Sequence, residues 1–363
     1  MKDVRKINLQ KEIMQLERTF FGPKFKNLPA PTDEQKHARV ARTGDTPFAR
    51  FIGNDRAVRK LQVAAFKALG TENHMMRDLA FAVFGPSSSG KTTLVRLYAE
   101  TVKLPFIEIS PKSVKTLNDL FKIISSELDR QKVPLEGTEY FQLPPCVIFI
   151  DEVHALADSI VQGLLKATEF DDSTLITENG KTVDCYKVTW AIATTEEGRL
   201  FEAFRTRFSP VQLGYLNKKE ISQIVQLAHP DLSPEVCDLV AHYNSRVPRK
   251  ALEFARYMKL VQEINNNDWE SVARQVAEDE GIDEFGMHEV HLKILRALSN
   301  GPIARNRIGF VAGRKDEEVD NYLIPWLMTE TEDQPALIAV SQRGYVITQA
   351  GIAELEKRDR KVA

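Results

Sequence analysis

Cysteine is scarce in this chain, and long apolar runs are missing. The three cysteines, Cys146, Cys185 and Cys237, are far apart and form no CxxC pair. This excludes a disulfide framework and favours a cytoplasmic protein. No apolar run reaches the roughly 20 residues that a membrane helix needs, so we expect no membrane partner. The first residues are charged and precede no apolar segment, so we expect no secretory signal.

The rest of the composition is that of an ordinary globular protein. Of the 363 residues, 43% are hydrophobic and 28% are charged, which excludes collagen, coiled-coil rods and bulk disorder. At about 150 residues per domain, this length predicts two or three domains. The net charge is −2, so a nucleic-acid partner would require a local basic surface.

The first 50 residues differ from the remainder, because they carry 11 lysines and arginines against six acidic residues. Apolar residues recur at helical spacing over residues 7–20, and prolines interrupt the pattern that follows. We interpret residues 1–47 as a basic arm and linker. The arm either packs on its own core or a neighbouring subunit, or it contacts nucleic acid.

Strands and helices alternate from residue 51 to residue 194. The predicted strands are 79–84, 105–109, 145–150 and 188–193, and the predicted helices are 56–69, 91–100 and 114–128. This alternation indicates βαβ units and therefore an α/β fold with a parallel sheet. We assign residues 48–216 to this nucleotide-binding core.

Two smaller domains are predicted beyond residue 216. Three helices without strands, at 218–227, 234–243 and 249–265, indicate a helical lid domain over residues 217–280. The later elements are predicted helices at 287–299, 305–312 and 316–328, followed by β runs at 336–340 and 344–347. Three helices before a hairpin are typical of a winged helix-turn-helix, which we assign to residues 281–363.

A phosphate-binding loop follows the first predicted strand and begins the next helix. Its sequence, Gly85-Pro86-Ser87-Ser88-Ser89-Gly90-Lys91-Thr92, fits G-x-x-x-x-G-K-[ST], and Thr93 follows it. Glycines let the backbone N–H groups point at phosphates, and the helix N-terminus adds positive potential. We expect Lys91 to bind the β- and γ-phosphates of ATP, and Thr92 to bind Mg²⁺.

An acidic pair, Asp151 and Glu152, ends the apolar strand at 145–150. Asp151 is suited to hold Mg²⁺ through water, and Glu152 to polarise the attacking water. The alternative is a solvated strand end, but the pair lies 60 residues after the Lys91 loop, which favours a hydrolysis site. His154 lacks a cluster of further ligands, so we interpret it as a helix-start residue and not a metal ligand.

Further polar residues are candidates for the same site. Thr195 ends the strand at 188–193, where its hydroxyl either contacts the γ-phosphate or lytic water, or caps the strand. Arg205 and Arg207 either bind phosphate, act across a subunit boundary or are solvated. Arg249 begins a lid helix and is a candidate to close over the nucleotide.

The DNA-binding candidates lie in the C-terminal domain. They are Arg305, Arg307 and Arg314, together with Arg343 at a predicted wing tip. Acidic residues over 316–320 open the helix that would read bases, so we expect contacts to DNA phosphates without sequence specificity. The alternative is a winged helix used for protein contacts.

These segments together resemble the AAA+ ATPases, and within them the RuvB family of Holliday-junction branch-migration motors, over residues 51–355. The segments that carry the resemblance are Phe51-Ile52-Gly53, Asp151-Glu152-Val153-His154, Ala193-Thr194-Thr195, Arg205-Thr206-Arg207-Phe208, Pro248-Arg249, Gly281-Ile282-Asp283, Tyr322-Leu323-Ile324-Pro325 and Arg343-Gly344-Tyr345-Val346-Ile347-Thr348. The resemblance implies an αβα ATPase core, a helical lid and a C-terminal winged helix.

The resemblance also implies roles for single residues. Thr195 would be sensor 1, Arg207 the arginine finger acting on a neighbouring subunit, and Arg249 sensor 2. The residues implied to line the base and ribose pocket are Phe51, Ile52 and Tyr215. Asn179-Gly180 predicts a hairpin between 174–177 and 182–186, similar to the one by which RuvB grips RuvA. A RuvA-like junction-binding protein is therefore an expected partner.

The activity implied is ATP hydrolysis with Mg²⁺ that drives branch migration or translocation on duplex DNA, in a ring that we expect to be a hexamer. The alternatives are a clamp-loader-like or initiator-like switch without processive movement, and a nucleotide-gated protein scaffold that binds no DNA. The chain departs from the family in three places. Ser87-Ser88-Ser89 replace a Pro-Gly-apolar stretch, the basic arm is additional, and Tyr345 stands where the wing would carry another basic residue.

Overall fold

A five-stranded sheet, parallel throughout, positions the candidate site. The strands, in chain order, are β1 (Phe81–Phe84), β2 (Phe106–Ile109), β3 (Tyr140–Gln142), β4 (Cys146–Ile150), β5 (Thr174–Ile176), β6 (Thr182–Asp184), β7 (Val188–Thr194), β8 (Ser209–Gln212), β9 (Ile338–Ser341) and β10 (Gly344–Ile347). The main sheet has the order β2-β4-β7-β1-β8. The computed structural model describes residues 46–69, 80–131, 140–169, 173–244, 246–315 and 318–362.

Helices pack on this sheet and form much of the described chain beyond it. The α-helices are α1 (Asp55–Leu69), α2 (Lys91–Val102), α3 (Leu117–Arg130), α4 (Asp158–Ala167), α5 (Glu202–Arg205), α6 (Lys218–Ala228), α7 (Pro234–Tyr243), α8 (Pro248–Asn265), α9 (Trp269–Asp279), α10 (Glu289–Ser299), α11 (Arg305–Ala312), α12 (Ile324–Met328) and α13 (Gln349–Val362). No helix in the described ranges is long and apolar enough to cross a membrane. The helix predicted over 7–20 lies outside the described residues.

The central strands are buried on both faces, which explains why they are apolar without alternation. In β4, Ile148 and Ile150 join a core with residues of α3 and α4. The intervening Val147 and Phe149 join a second core with residues of α1 and α2. Two helical layers therefore enclose the sheet, and the α/β fold class expected from the sequence is confirmed.

Helices α6 to α9 share a separate apolar core. Helix α9 was not among the predicted helices, although Val272, Ala273 and Val276 repeat at helical spacing and are buried. Asp268 caps this helix, because its carboxylate accepts the backbone N–H of Ser271 at 3.0 Å. The described part of residues 217–280 is thus helical.

The C-terminal part contains helices followed by a hairpin, as expected for a winged helix-turn-helix. The helix predicted over 316–328 is not a single α-helix. Val319–Leu323 form a π-helical turn, in which the N–H of Ile324 bonds to the carbonyl of Val319, and α12 follows. Tyr345, on β10, is buried in the apolar core of this region. Its ring therefore packs the β9–β10 hairpin against this core.

The short hairpin β5–β6 is attached to α3 through its turn. Both carboxylate oxygens of Glu178 accept backbone N–H groups, one from Leu117 and one from Asn118, each at 2.9 Å. These donors belong to the first turn of α3, where helix N–H groups have no partner within the helix. Glu178 therefore caps α3 from a distant part of the chain.

We expect Glu178→Ala to lower the free energy of unfolding by about 1 kcal/mol, the usual effect of losing a helix cap. Burial acts to raise the pKa of Glu178, but backbone hydrogen bonds together lower it below its usual range. The stabilisation is therefore present at neutral pH and is lost as the pH falls through the folded-state pKa. Urea unfolding at pH 7 and pH 3 measures both effects.

The control is Glu127→Ala, which removes a partly exposed carboxylate from the same helix and its ion pair with the exposed Arg130. Such a pair contributes little, so the unfolding midpoint should change by less than that of Glu178→Ala. Equal effects of the two variants at pH 7 would contradict the capping role.

Candidate functional site

The phosphate-binding loop connects β1 to α2 and wraps around a buried lysine. Lys91 is 6% exposed, and its ammonium donates to the carbonyls of Gly85 and Pro86 at 3.1 Å each. Gly90 has a φ of +94°, and a Cβ there would lie 3.0 Å from the ring of Phe51. The loop thus requires glycine at this point, both for its backbone and for the close approach of Phe51.

Ser88 is the strained residue of this loop. Its φ of +63° is in the left-handed region, which costs a non-glycine residue about 1–2 kcal/mol. Left-handed residues in a loop help to turn successive N–H groups toward one concave surface, where anions bind. The conformation therefore suits phosphate binding although serine replaces glycine here.

Burial and neighbouring charges have opposite effects on the pKa of Lys91. Burial has the largest effect and lowers the pKa of Lys91, while Glu152 and Asp151 raise it and Arg249 lowers it. The ammonium also lies 3.9 Å from Oε1 of Glu152. Arg249, at the start of α8, thus acts electrostatically on the loop lysine, and its role as sensor 2 stays a prediction.

The two predicted magnesium ligands are in contact. Oγ1 of Thr92, in the first turn of α2, donates to Oδ2 of Asp151 at 3.2 Å. The contact arises because β1 and β4 lie in the same parallel sheet and both end at one edge. A hydroxyl and a carboxylate side by side are the oxygen ligands that Mg²⁺ prefers, so these residues fit the ion.

Glu152 is held in place from the neighbouring strand. Its Oε2 accepts the backbone N–H of Thr195 at 3.1 Å and the Thr195 hydroxyl at 3.3 Å. Glu152 has a φ of +48°, a backbone conformation that costs energy and that recurs at active sites. The carboxylate is thus oriented by the chain itself, and it keeps one oxygen facing Lys91.

His154 participates in this arrangement in a way that the sequence did not indicate. It lies in a short 3₁₀ turn, Val153–Ala155, as a helix-start residue would, but its ring also connects two strand ends. Its Nδ1 is 2.7 Å from the Thr194 hydroxyl and 3.4 Å from Glu152, and its Nε2 is 3.2 Å from Glu196. Within the described ranges, no group of three or more histidine, cysteine or acidic side chains could hold a metal ion.

The segments predicted to hold the base and ribose are joined by one side chain. Oδ1 of Asn54 accepts the N–H of Gly214 at 2.7 Å. This bond ties the Phe51 segment to the one that carries Tyr215, and Ile52 lies between Phe51 and Asn54. Tyr215 is partly exposed, and burial raises its pKa to about 12.

The two candidate finger arginines pair with acidic side chains of their own chain. Arg207 donates to Glu169 at 3.1 Å, and Arg205 pairs with Glu197 at 3.3 Å. Both precede β8, whose first residue pairs with the first residue of β1. Arg207 therefore precedes the sheet edge opposite to Gly85. The Arg205 side chain instead reaches Glu197, which also accepts a hydrogen bond from Gln212 at the other end of β8.

The four DNA-binding candidates fall into two classes. Arg305 pairs with Asp320 at 2.9 Å, and Arg314 lies 3.5 Å from Glu318. Arg307 on α11 and Arg343 in the β9–β10 turn are exposed. The acidic residues 316 and 317 lie outside the described residues, as does the basic arm except for its last two positions.

Arg246 is a buried residue that no sequence pattern singled out. It has a φ of +76° and donates to the carbonyls of Trp326 and Thr329 and to Oε1 of Gln334. Its guanidinium lies 4.8 Å from the centre of the Trp326 ring, and that ring stacks on His291 at 4.2 Å. Arg246 thus joins the helical part of the chain to the C-terminal part.

Comparisons with known proteins agree with this geometry. Residues 81–213 match the family described as "ATPase family associated with various cellular activities (AAA)". The chain is 24% identical over 327 residues to the Holliday junction branch migration complex subunit RuvB of Ehrlichia ruminantium strain Gardel, covering 85% of this chain and 90% of that protein. It is 25% identical over 322 residues to RuvB of Lactobacillus helveticus strain DPC 4571, covering 84% and 86%.

Solved structures of Thermotoga maritima RuvB are similar in fold. One covers 84% of this chain and 95% of its own, with a TM-score of 0.65 and 22% identity. A second structure, of a mutant of that protein, covers 85% and 97%, with a TM-score of 0.67 and 21% identity. Residues 81–213 therefore form an AAA ATPase domain, and the chain has the fold of RuvB.

We expect Glu152→Gln to bind ATP but to hydrolyse it very slowly, because the amide keeps the shape and loses the carboxylate that orients water. Lys91→Ala should fail to bind ATP productively, because it removes the charge that contacts the β- and γ-phosphates. Nucleotide titration and phosphate release measure the two effects separately. Hydrolysis by Glu152→Gln at near the wild-type rate would show that Glu152 does not orient the water.

Proposed function

We propose that this RuvB-like AAA+ ATPase hydrolyses ATP to move duplex DNA, and that its substrate is the Holliday junction, as the names of its relatives state for them. The observation that carries the proposal is the convergence of Lys91, Thr92, Asp151, Glu152 and Thr195 at one sheet edge in a chain with the RuvB fold.

The proposed hydrolysis follows from the chemistry of these residues. The loop N–H groups and Lys91 bind the phosphates, and Thr92 and Asp151 hold Mg²⁺, which neutralises charge on the phosphate oxygens when bound. Glu152 orients the attacking water and accepts its proton. Thr195 keeps Glu152 in the orientation that this step requires, through the two hydrogen bonds to Oε2. Arg249 acts beside Lys91 as a second cation for the γ-phosphate.

We further propose that the protein works as a homo-oligomeric ring, with a hexamer as the expected form. Arg207 lies at the sheet edge opposite to its own loop, so the nucleotide it serves belongs to a neighbouring subunit. Its partner Glu169 is more than a third exposed, so the ion pair can exchange for a phosphate at modest cost. Arg205 is the alternative finger.

DNA would be bound through the exposed arginines of the C-terminal domain. Arg307 and Arg343 are exposed, whereas Arg305 and Arg314 must first leave their carboxylate partners. Phosphate contacts of this kind carry no sequence information, which suits a motor that moves over any sequence. The basic arm is a further candidate for DNA contact or for contact between subunits.

A RuvA-like protein is a proposed partner through the Asn179-Gly180 turn. Both turn residues are exposed, and Ile176 on β5 is 48% exposed, so the hairpin offers an apolar contact. Because Glu178 attaches the turn to α3, this contact surface is held rigidly.

A second candidate function is a nucleotide-gated switch or scaffold that does not translocate DNA. The observation that favours it is the pairing of Arg305 and Arg314 with acidic side chains, which reduces the positive charge available to DNA. Branch migration of a synthetic junction, with and without a RuvA-like protein, separates the two functions.

We expect Arg207→Ala to bind ATP normally and to lose roughly 10³–10⁵-fold in turnover, as arginine fingers do. A mixture of Arg207→Ala and Glu152→Gln subunits should recover part of the activity. In that mixture, a Glu152→Gln subunit supplies its intact Arg207 to a neighbour with an intact Glu152. The measurement is phosphate release across mixing ratios. Co-assembled mixtures without any recovery would rule out action between subunits.

We expect Arg343→Ala to weaken binding to all duplex sequences equally and to reduce the slope of log affinity against log salt by about 0.9. Arg305→Ala is the matched comparison and should change binding less, because Asp320 already neutralises that arginine. Fluorescence anisotropy at several salt concentrations measures both slopes.

Deletion of residues 1–46 tests the basic arm in the same assay. A change in oligomer size at constant DNA affinity would assign the arm to subunit contacts. If neither the deletion nor Arg343→Ala changed DNA affinity, and DNA did not alter ATP hydrolysis, the scaffold function would replace the motor.

A further inference from the structure

A tyrosine of the C-terminal domain touches the phosphate-binding loop directly. The hydroxyl of Tyr322 donates a hydrogen bond to Oγ of Ser87 at 2.9 Å, across 235 positions of sequence. Ser87 lies between Pro86 and the strained Ser88, at the part of the loop that surrounds phosphate. The contact therefore joins the proposed ATP site to the C-terminal domain.

The π-helical turn Val319–Leu323 presents this tyrosine. Such turns widen a helix by one residue and are frequent at functional sites. The turn is supported on both sides, because Asp320 within it pairs with Arg305, and Pro325 follows in the first turn of α12. The backbone that carries Tyr322 is therefore supported within its own domain.

A second observation connects Tyr322 electrostatically with a residue of the predicted nucleotide pocket. Tyr215, predicted to line the base and ribose pocket, has its pKa raised mainly by burial, and Tyr322 raises it further. Arg246, which anchors the C-terminal domain, acts on Tyr215 in the opposite direction. Tyr322 therefore contacts the loop at Ser87 and acts electrostatically on Tyr215.

We propose that Tyr322 is a positioning residue of the ATP site, supplied by the C-terminal domain, that holds the phosphate-binding loop through Ser87. This inference rests on the proposed ATP site but not on the proposed movement of DNA. For the N–H groups of the loop to face phosphate, Ser88 must keep its left-handed backbone conformation, which costs energy. A hydrogen bond to the adjacent side chain limits the loop to that conformation before ATP arrives, and preorganisation of this kind increases affinity.

The test is a double-mutant cycle on ATP affinity in full-length Glu152→Gln protein, in which hydrolysis is slow, without DNA. Tyr322→Phe and Ser87→Ala each remove one partner of the same hydrogen bond. Each should weaken binding of a fluorescent ATP analogue with Mg²⁺ by roughly two- to tenfold, the range for one neutral hydrogen bond. The double variant should bind no more weakly than the single variants, because only one interaction is lost.

The control is Tyr257→Phe, which removes a tyrosine hydroxyl from α8, where it bonds to Asp279. It should leave ATP affinity unchanged. Thermal unfolding of every variant accompanies the titrations, because a purely structural role of Tyr322 would lower the melting temperature and leave ATP affinity unchanged.

Two results would overturn the inference. One is unchanged ATP affinity in both single variants, and the other is a double variant whose loss equals the product of the two single losses. If the Glu152→Gln protein bound no ATP at all, the proposed function would fail, and the inference with it. Normal ATP binding that responds to neither hydroxyl would overturn the inference alone.

Discussion

The parallel alignment of β4, β7 and β1 is the constraint on which the rest of the site depends. Each strand ends at the same sheet edge, and each is followed by residues of the site. Asp151 and Glu152 follow β4, Thr195 follows β7, and the phosphate-binding loop follows β1. A register slip of one residue in β7 would move the N–H of Thr195 away from Glu152 and exchange the β7 side chains between the two apolar cores.

Much of this core could be predicted from sequence, because the apolar strands and the loop have strong local patterns. The sheet order explains why Thr92 reaches Asp151, and knowledge of parallel sheets was sufficient to expect that contact. His154 was harder, since its partners Thr194 and Glu196 come from another strand end, and nothing near it in sequence indicates them. The partners of a single residue such as His154 can be predicted only when the strand order is known.

The C-terminal region shows where sequence patterns stop being sufficient. The acidic and apolar residues after 315 fit a regular α-helix. Helical periodicity does not distinguish such a helix from the π-helical turn that carries Tyr322. Arg246 also had no distinguishing signal in the sequence, because an arginine before Pro248 usually belongs to an exposed helix start. Its burial depends on carbonyls and a ring 80 to 88 positions later. Contacts of such long range have no local signature.

The Arg246 contact has a mechanical consequence. Arg246 lies three residues before Arg249, and its hydrogen bonds to Trp326 in α12 and to Thr329 just after it leave this segment little freedom to slide against α8. Burial lowers the pKa of Arg246 to about 10, so the side chain remains cationic at neutral pH and the connection persists. A rotation of α8 about its N-terminus would thus turn the attached domain as a lever. The displacement of the β9–β10 turn would then grow in proportion to its distance from the N-terminus of α8.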